Sequence, residues 1–523
     1  MNGNNGEYWK ANHFSYQDSQ SKLKMNGKLS RSVQETLGVK QGNSKSSDHY
    51  TVYNKPVLDT LEHAALGVWI GPINTGVSGV ADDDFLMSDD PSKLQGLIDI
   101  AEHYGIRYRI TYGASKTKIT VSGSNIDQQF FKDTTPWTMG GENIHVVEDN
   151  EHLGQIVSGS DQISKNVDLR LRKGRGSLYG LLGPGFAYKC LLSPLVKLHL
   201  YRTYVCPIIR SGLSSFAIRQ PSLQPLSIFQ RKTLRAILKL SKNSSIPAIH
   251  FLTGELPIEG KFHRDVFSLF FSIWNNPNTK IYEIVKYLLE NSTENSRTWS
   301  IFLRNVSKMY GLEDPSTCLS RDPPKKYEYK ETILTKITAF HERELRRHAK
   351  STLKYLNVSV SGLRGKHHPS LSNLLTAHDV QKAIPHIKML CENYFTYEIR
   401  ANQSGGSPHC RCCSQSNLIE KSSENLRHIL TECTAYSDIR DRIFPEYSLL
   451  CRQSKTKISF EDIAQNEDDL CQLILDPCSL NLKSRISVKD PQLNQFYNLS
   501  RDFCFAIHSR RMKILKEKMN NEK

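Results

Sequence analysis

Cysteine and histidine residues between positions 410 and 433 restrict the fold more than any other feature of this sequence. Cys410 and Cys413 are separated by two residues, and His428 and Cys433 follow fourteen residues later with four residues between them. A C-x2-C pair presents two thiolates from one tight turn, and Zn²⁺ favours four sulfur or nitrogen ligands in a tetrahedron. The spacing therefore predicts a Cys3His zinc site that holds two distant segments together.

The assignment of the first ligand pair could shift by one residue, because two neighbouring side chains could also bind zinc. Cys412 and His409 are spare candidates for it, and a set of buried free thiols is the alternative to a metal site. The remaining cysteines are scattered through the sequence. In a reducing compartment this pattern favours a metal site over a disulfide framework. Four protein ligands leave no open position for catalysis, so the predicted role of the zinc is structural.

The charge balance bears on the partners of the chain. In 523 residues, 69 Lys and Arg stand against 53 Asp and Glu, a net charge of +16. Such an excess favours polyanions, because a cation that neutralises a phosphate releases counterions; the alternative is an ordinary solvated surface. No apolar run approaches the ~18 residues of a membrane span, and the polar N-terminus has no signal-peptide core. We therefore expect an intracellular protein, nuclear or cytoplasmic, with no membrane association.

The apolar periodicity changes near residue 182, and we expect the α+β fold class. Before that point the pattern predicts two helices and several strands; after it the pattern is mainly helical. In the first part we predict a helix over 57–66 begun by Pro56, a strand, turn and strand over 77–87, a helix over 91–104, and strands over 107–112 and 118–121. In the second part we predict helices over 193–204, 226–240, 331–356 and 378–400, the last kinked at Pro385, with a linker over 315–329.

An acidic turn, Val80-Ala81-Asp82-Asp83, lies between the two predicted strands of 77–87. Adjacent carboxylates at a strand tip repel each other unless a cation holds them. Polymerases use such carboxylates to bind the Mg²⁺ ions that activate the attacking hydroxyl and stabilise the leaving pyrophosphate. The alternative is a turn whose acidic side chains are only solvated.

Two further segments flank this turn in a fixed order, GVKQG at 38–42 before it and KTK at 116–118 after it. The set resembles the reverse transcriptases of non-LTR (LINE-type) retrotransposons, which carry G-V-[RK]-Q-G, a hydrophobic-A-D-D turn and K-T-K at similar spacings. The segment HLG at 152–154 is similar to the primer-grip region of that family. The resemblance implies a partial palm of an RNA-directed DNA polymerase, with RNA and DNA as partners. It assigns Gln41 and Gly42 to nucleotide and template, Asp82 and Asp83 to catalytic Mg²⁺, and Lys116 and Lys118 to the nucleotide phosphates.

The sequence departs from the family pattern in three places. The segment 43–47 lacks the usual Ser-Pro, and Asp84 adds a third carboxylate to the turn. The F-x-D-x-x-x-A-F-D strand, which supplies the other metal-binding carboxylate, is not found before residue 38, and neither is the fingers region. Two metal ions need carboxylates from both strands. We therefore expect a truncated copy or an incomplete gene product, with very weak or absent polymerase activity.

A cationic stripe follows the palm-like region. Arg231, Arg235 and Lys239 recur at i, i+4 and i+8 on one flank of the predicted helix. The interpretation is a thumb helix that follows the phosphates of a template–primer duplex, and the alternative is a solvated helix face. The surrounding segments FQRKTLR and GELP also resemble the region after the palm in these elements. The segment 424–440 looks like the zinc-binding region that follows many LINE-type reverse transcriptases.

These observations predict five parts: a partial palm at 1–160, a helical thumb-like region at 161–314, a helical connector at 315–400, a zinc-binding region at 401–450 and a helical tail at 451–523. The first hypothesis is a reverse-transcriptase-derived polypeptide that binds nucleic acid. The second is a non-enzymatic zinc- and nucleic-acid-binding protein. A helical interaction protein with an accidental acidic turn is the third, and it leaves the order of the motifs unexplained.

Overall fold

The computed structural model describes residues 6–35, 46–123, 137–181, 191–413, 422–455, 459–478 and 486–521. It consists of two compact units, Met1–Ser160 and Asp161–Lys523. The boundary between the units follows residue 160, where the first of the five predicted parts ends. The other predicted limits, at 314, 400 and 450, lie inside the second unit. Among the described residues, the paired strands lie in the first unit and the second unit is helical. The α+β class is confirmed in this broad sense.

The first unit combines helices with short strands that pair only two by two in the part of the chain that is described. The helices are Gly6–Tyr16, Ser46–His63 and Pro91–Tyr108. The antiparallel pairs are Gln20–Ser21 with Val33–Gln34, Lys24–Met25 with Lys28–Leu29, Trp69–Ile70 with Ile73–Asn74, Val77–Val80 with Asp83–Leu86, Thr138–Met139 with Glu142–Asn143, and Asp149–His152 with Gln155–Ser158. A parallel pair joins Lys118–Ile119 to His145–Val146.

The helix predicted over 57–66 begins earlier, at Ser46, than its apolar spacing indicates. Pro56 lies inside the helix Ser46–His63 rather than at its start. A proline in a helix removes one backbone hydrogen bond, and here the helix continues through that loss. Val57 and Leu61 are fully buried and pack against Leu97 of the helix Pro91–Tyr108. The prediction placed the start at the proline because the residues before it carry no apolar periodicity.

The helix Pro91–Tyr108 begins as predicted and ends later. The carboxylate of Asp90 accepts hydrogen bonds from the backbone N–H groups of Ser92 and Lys93, at 2.8 and 3.1 Å, which is the usual N-cap arrangement. The strand predicted over 107–112 is wrong, because the helix runs through Tyr108 and ends at Arg109 in a left-handed conformation with φ of 58°. The strand predicted over 118–121 forms only at Lys118–Ile119.

The second unit packs its helices around one extended apolar core. The predicted 193–204 helix is an α-helix that continues as a π-helical turn, and the predicted 378–400 helix is two helices separated by residues 391–396, with Pro385 inside the first. The described α-helices are Gln162–Gly180, Pro194–Leu200, Gln220–Leu238, Ile246–Thr253, Ile258–Trp274, Lys280–Asn291, Trp299–Met309, Pro315–Leu319, Lys326–Thr352, Ala377–Leu390, Tyr397–Ser404, Ser437–Gln453, Phe460–Ala464, Glu467–Leu475 and Leu493–Asn521.

The region predicted as a linker over 315–329 is part of this core. It contains the short helix Pro315–Leu319 and the start of the helix Lys326–Thr352. Cys318 and Leu319 are buried, and Tyr329 stacks on Phe271 with ring centroids 4.8 Å apart. Pro315 begins the first of these helices at a position where proline is favoured, and Pro323 and Pro324 lie between the two helices. None of the described helices combines the length and the apolar composition needed to cross a bilayer.

Candidate functional site

The four predicted zinc ligands meet in the second unit. The ligand atoms of Cys410, Cys413, His428 and Cys433 all lie within 4.8 Å of one another. The Sγ atoms of Cys410 and Cys433 are 3.8 Å apart, and Cys413 Sγ is 3.4 Å from His428 Nε2. Tetrahedral Zn²⁺ with bonds of about 2.3 Å to sulfur and about 2.0 Å to nitrogen requires separations of roughly 3.8 Å and 3.5 Å. These two separations match those of a zinc-bound set, so the four side chains could hold a zinc ion.

The first two ligands lie on a turn that is fixed by the backbone. The N–H of Cys412 points at Cys410 Sγ from 3.4 Å. The N–H of Cys410 donates to the carbonyl of Ser422 at 3.1 Å, and the N–H of Glu424 donates to the carbonyl of Pro408 at 2.8 Å. These bonds tie both sides of the turn together and present the two thiols in one direction.

The other two ligands lie at the two ends of a π-helical turn, His428–Glu432. The N–H of Cys433 donates to the carbonyl of His428 at 2.8 Å, which closes the wider i to i+5 ring of a π-helix. An α-helical turn would rotate residues i and i+5 about 140° apart, at 100° per residue. The hydrogen bond of the π-helical turn therefore joins the two residues of the H-x4-C spacing.

The alternative ligands are resolved by the same geometry. Cys412 is buried and forms a second group with Cys410 and Glu424, in which their ligand atoms also lie within 4.8 Å of one another. That group offers three ligand atoms, whereas the predicted set offers four. His409 belongs to neither group. The first pair is therefore Cys410 and Cys413, as the spacing predicts.

A carboxylate orients the histidine ligand. His428 Nδ1 lies 3.1 Å from Glu432 Oε2, which leaves Nε2 facing the thiols. Burial acts to lower the pKa of His428, but the Cys410 thiol and the Glu432 carboxylate raise it overall. Hydrogen bonds with Cys412 and Cys433 hold the pKa of Cys410 far below its usual value. Metal-binding histidines commonly have such a carboxylate on the second ring nitrogen.

A buried ion pair lies beside the metal ligands, and sequence reasoning did not find it. Glu424 is fully buried, and its Oε1 accepts a hydrogen bond from Arg511 Nη2 at 2.5 Å. The guanidinium of Arg511 lies over the rings of Tyr394, Phe395 and Tyr397, 5.5 to 6.0 Å from their centroids. Arg511 belongs to the helix Leu493–Asn521, called the C-terminal helix below. The pair therefore fixes this helix against the metal-binding segment.

In the first unit, the acidic turn forms the tip of a hairpin, called the acidic hairpin, made of Val77–Val80 and Asp83–Leu86. Val80 pairs with Asp83, so Ala81 and Asp82 form the two-residue turn. Ala81 has a φ of 54°, which costs a non-glycine residue about 1 kcal/mol. Asp82 and Asp83 are exposed. The strand, turn and strand predicted over 77–87 are confirmed.

The third carboxylate of the turn points inward. Asp84 accepts hydrogen bonds from Asn54 Nδ2 at 3.0 Å and from the Tyr112 hydroxyl at 3.1 Å. Burial raises the pKa of Asp84 despite these bonds. Within the described ranges, Asp82 and Asp83 are not part of a group of three ligand atoms that could hold a metal ion. Mg²⁺ binding at this hairpin stays a prediction.

A second hairpin, Asp149–His152 and Gln155–Ser158, contacts the acidic hairpin. Leu153 and Gly154 form its turn with φ values of 49° and 75°. The ring of His152 stacks on Phe85 with centroids 5.1 Å apart. The segment singled out at 152–154 therefore lies beside the acidic hairpin, and Leu153 is exposed at its tip.

The remaining predicted nucleotide-binding residues are only partly described. Gln41 and Gly42 lie outside the described residues. Lys118 belongs to a strand and its Nζ donates to the carbonyl of Ser115 at 2.9 Å, while Lys116 is exposed. This segment follows Tyr112, which contacts Asp84, so it lies in the same unit as the acidic hairpin.

The cationic stripe is less open than its spacing predicts. Its helix, Gln220–Leu238, is called the basic helix below. Arg235 donates to the Oγ and the carbonyl of Ser244, at 3.0 and 2.8 Å, and Lys239 is buried at the left-handed C-cap. Arg231 is half-buried and donates to the carbonyl of Ser227 at 3.2 Å. The periodicity of the sequence could not show that these cations are partly covered, because the loop that contains Ser244 folds back over the last turn of the basic helix.

No protein-family model matches the chain, and no curated protein matches it. The functional assignment therefore depends on the residue patterns and on the geometry of the zinc-binding side chains and the two hairpins.

Proposed function

We propose that this chain is a zinc-containing, reverse-transcriptase-like protein that binds an RNA–DNA template–primer duplex. The observation that carries the proposal is the contact between the acidic hairpin and the second hairpin, in which the ring of His152 stacks on Phe85. The exposed Asp82 and Asp83 and the exposed Leu153 each lie within three residues of this contact along the chain, an arrangement suited to a metal-bound primer end. The net charge of +16 supports a polyanionic partner.

Each group has a role in this proposal. Asp82 and Asp83 bind Mg²⁺ at the primer end, and Lys116 and Lys118 neutralise nucleotide phosphates. Leu153 packs against the primer strand. The zinc-binding segment has a structural role, since four protein ligands close its coordination sphere. Polymerisation by the chain alone is expected to be very weak, because two metal ions need more carboxylates than this pair supplies.

The test is Mg²⁺-dependent binding of a fluorescent RNA–DNA template–primer duplex by the purified chain, measured by anisotropy. With a deoxynucleotide present, millimolar Mg²⁺ is expected to strengthen binding on the order of tenfold, equivalent to about 1.4 kcal/mol. The double variant Asp82→Asn with Asp83→Asn should lose that response, because neutral amides do not replace a carboxylate pair as metal ligands.

The matched control is Asp48→Asn, which removes an exposed carboxylate of the same unit. It should keep the full Mg²⁺ response. Affinity should also fall steeply between about 50 and 200 mM salt, since phosphate contacts release counterions. A chain that does not bind the duplex at low salt contradicts the proposal.

A second function is favoured by one observation. Among the described residues, no third ligand joins Asp82 and Asp83, and Asp84 is engaged by Asn54 and Tyr112. This arrangement suits a non-enzymatic zinc- and nucleic-acid-binding protein. If the chain binds the duplex and the double variant shows the same Mg²⁺ response as the wild type, this second function is the correct one.

A further inference from the structure

The second unit contains a cleft that neither the zinc site nor the proposed palm uses. It has a volume of about 640 Å³ and lies between the start of the basic helix, the start of the helix Ile258–Trp274 and the helix Trp299–Met309. Sites for small molecules commonly have volumes of about 300 to 1,000 Å³. We call it the lateral cleft.

One carboxylate in the lateral cleft has no cationic partner. Glu259 accepts a single hydrogen bond, from Gln220 Nε2 at 3.2 Å, and no Lys or Arg of the described residues forms an ion pair with it. Burial raises its pKa. A half-buried carboxylate can only accept hydrogen bonds when it is ionised, so it favours a ligand with N–H donors.

The rim of the lateral cleft is cationic. The side chains of Arg219 and Arg297 line it, are exposed, and make no hydrogen bond or ion pair within the described ranges. Glu294 is a single carboxylate near them. A guanidinium has donors that match a phosphate, whereas it repels the lysine or arginine side chain of a protein partner.

The wall between the rim and Glu259 is apolar. Ile301 and Phe302 lie on it, and Phe302 is held in place by Phe262 with ring centroids 6.0 Å apart. Such a wall suits the flat face of a heteroaromatic ring. Asn305 adds an amide on the same helix that can donate and accept hydrogen bonds.

We infer that the lateral cleft takes a guanine nucleotide of single-stranded nucleic acid, with the base against Phe302 and the phosphate at Arg219 and Arg297. Guanine presents two adjacent donors, N1–H and the exocyclic amine, and Glu259 accepts from both. Adenine and uracil lack that pair of donors. Unpaired bases are commonly read along this edge while they stack on apolar side chains. The inference rests on the proposed function and deepens it, because it adds a site for a single strand to a protein that is proposed to bind a duplex.

The test uses the full chain and labelled oligouridine strands with one central guanine, inosine or adenine. Guanine should bind about tenfold tighter than adenine, the discrimination expected for a two-bond contact. Inosine keeps N1–H and lacks the amine, so its affinity should lie between the two. Glu259→Gln keeps the shape of the side chain and should remove the preference, while Arg297→Gln should weaken all three strands alike.

The matched control is Glu290→Gln, an exposed glutamate on the neighbouring helix Lys280–Asn291, which should leave the preference unchanged. Zinc content and circular dichroism show whether each variant is folded. Equal affinity for the three strands, or a guanine preference that survives in Glu259→Gln, overturns the inference. Competition by guanosine monophosphate as strong as that by the guanine strand keeps the base assignment and overturns the single-strand assignment.

Duplex binding separates this inference from the proposed function. When the unpaired template bases of the template–primer duplex include no guanine, the duplex offers no ligand for the lateral cleft, so Glu259→Gln should bind it like the wild type. Duplex binding without a guanine preference contradicts only the cleft. A guanine preference without duplex binding contradicts only the proposed function.

Discussion

Cys412 and Cys413 are neighbours in the sequence with different surroundings. Cys413 Sγ faces His428 Nε2, whereas Cys412 is buried and points toward Cys410 and Glu424. The hydrogen bond between Cys412 and Cys410, together with burial, raises the pKa of Cys412. Cys412 therefore lies outside the four-ligand group, and its backbone N–H points at Cys410 Sγ.

Replacing each of these cysteines by serine gives the first test of the metal site. Cys413→Ser removes a ligand and should weaken zinc binding by more than the roughly 10- to 100-fold expected for an outer contact. Cys412→Ser should retain one equivalent of zinc. Zinc content measured after gel filtration with a competing chelator distinguishes the two variants. The reverse order would mean that the ligand pair is shifted by one residue.

At the scale of elements, one buried ion pair connects the metal-binding segment to the C-terminal helix. Arg511 and Glu424 are both almost fully buried, so each charge depends on the other. Removing one partner of a buried pair leaves an uncompensated charge, whereas replacing both is often tolerated. The contact between the two elements therefore depends on matched charge.

Arg511→Met should lower the free energy of unfolding by about 3–5 kcal/mol, the cost of an unpaired buried charge. The double variant with Glu424→Gln should recover most of this loss. Arg510→Met is the control, because Arg510 is exposed and its bridge to Asp438 contributes about 1 kcal/mol or less. Urea unfolding followed by circular dichroism measures all three. A double variant as unstable as the single one would show that the charge is not the cause.

At the scale of the whole molecule, features defined by neighbouring residues were predicted better than contacts between distant segments. The Cys/His cluster was predicted because its C-x2-C and H-x4-C pairs define a recognisable spacing within 24 positions, 410–433. Glu424 and Arg511 were missed because they lie 87 residues apart, and no periodicity relates them. The burial of Lys239 was missed for a similar reason, since the chain after the helix decides it. The start of the helix at Pro91 was predicted because Asp90 caps it locally.

Buried histidines make the second unit sensitive to acid. Burial lowers the pKa of His386 to about 4, while the ordinary value of 6.5 applies in the unfolded chain. Between these values the unfolded state binds more protons, so the free energy of unfolding decreases as the pH falls, by up to about 1.4 kcal/mol per pH unit for this group. Between pH 6.5 and pH 5, the free energy of unfolding of His386→Gln should therefore decrease less steeply than that of the wild type. The difference between the two slopes should approach about 1.4 kcal/mol per pH unit.

Urea unfolding at several pH values measures this slope. The control is His348→Gln, because His348 is an exposed histidine of the same unit. It should keep the slope of the wild type. A His386→Gln slope equal to that of the wild type would place the acid sensitivity elsewhere.

The pairing of Glu424 with Arg511 also has a consequence during synthesis. The metal ligands leave the ribosome well before the arginine, which follows Glu424 by 87 residues. At about 5–20 residues per second, that interval lasts roughly 4–17 s. During it, a closed zinc centre would enclose an anionic carboxylate with no counter-ion. The nascent chain should therefore keep this region open to water and close it around the ion only when the last helix arrives.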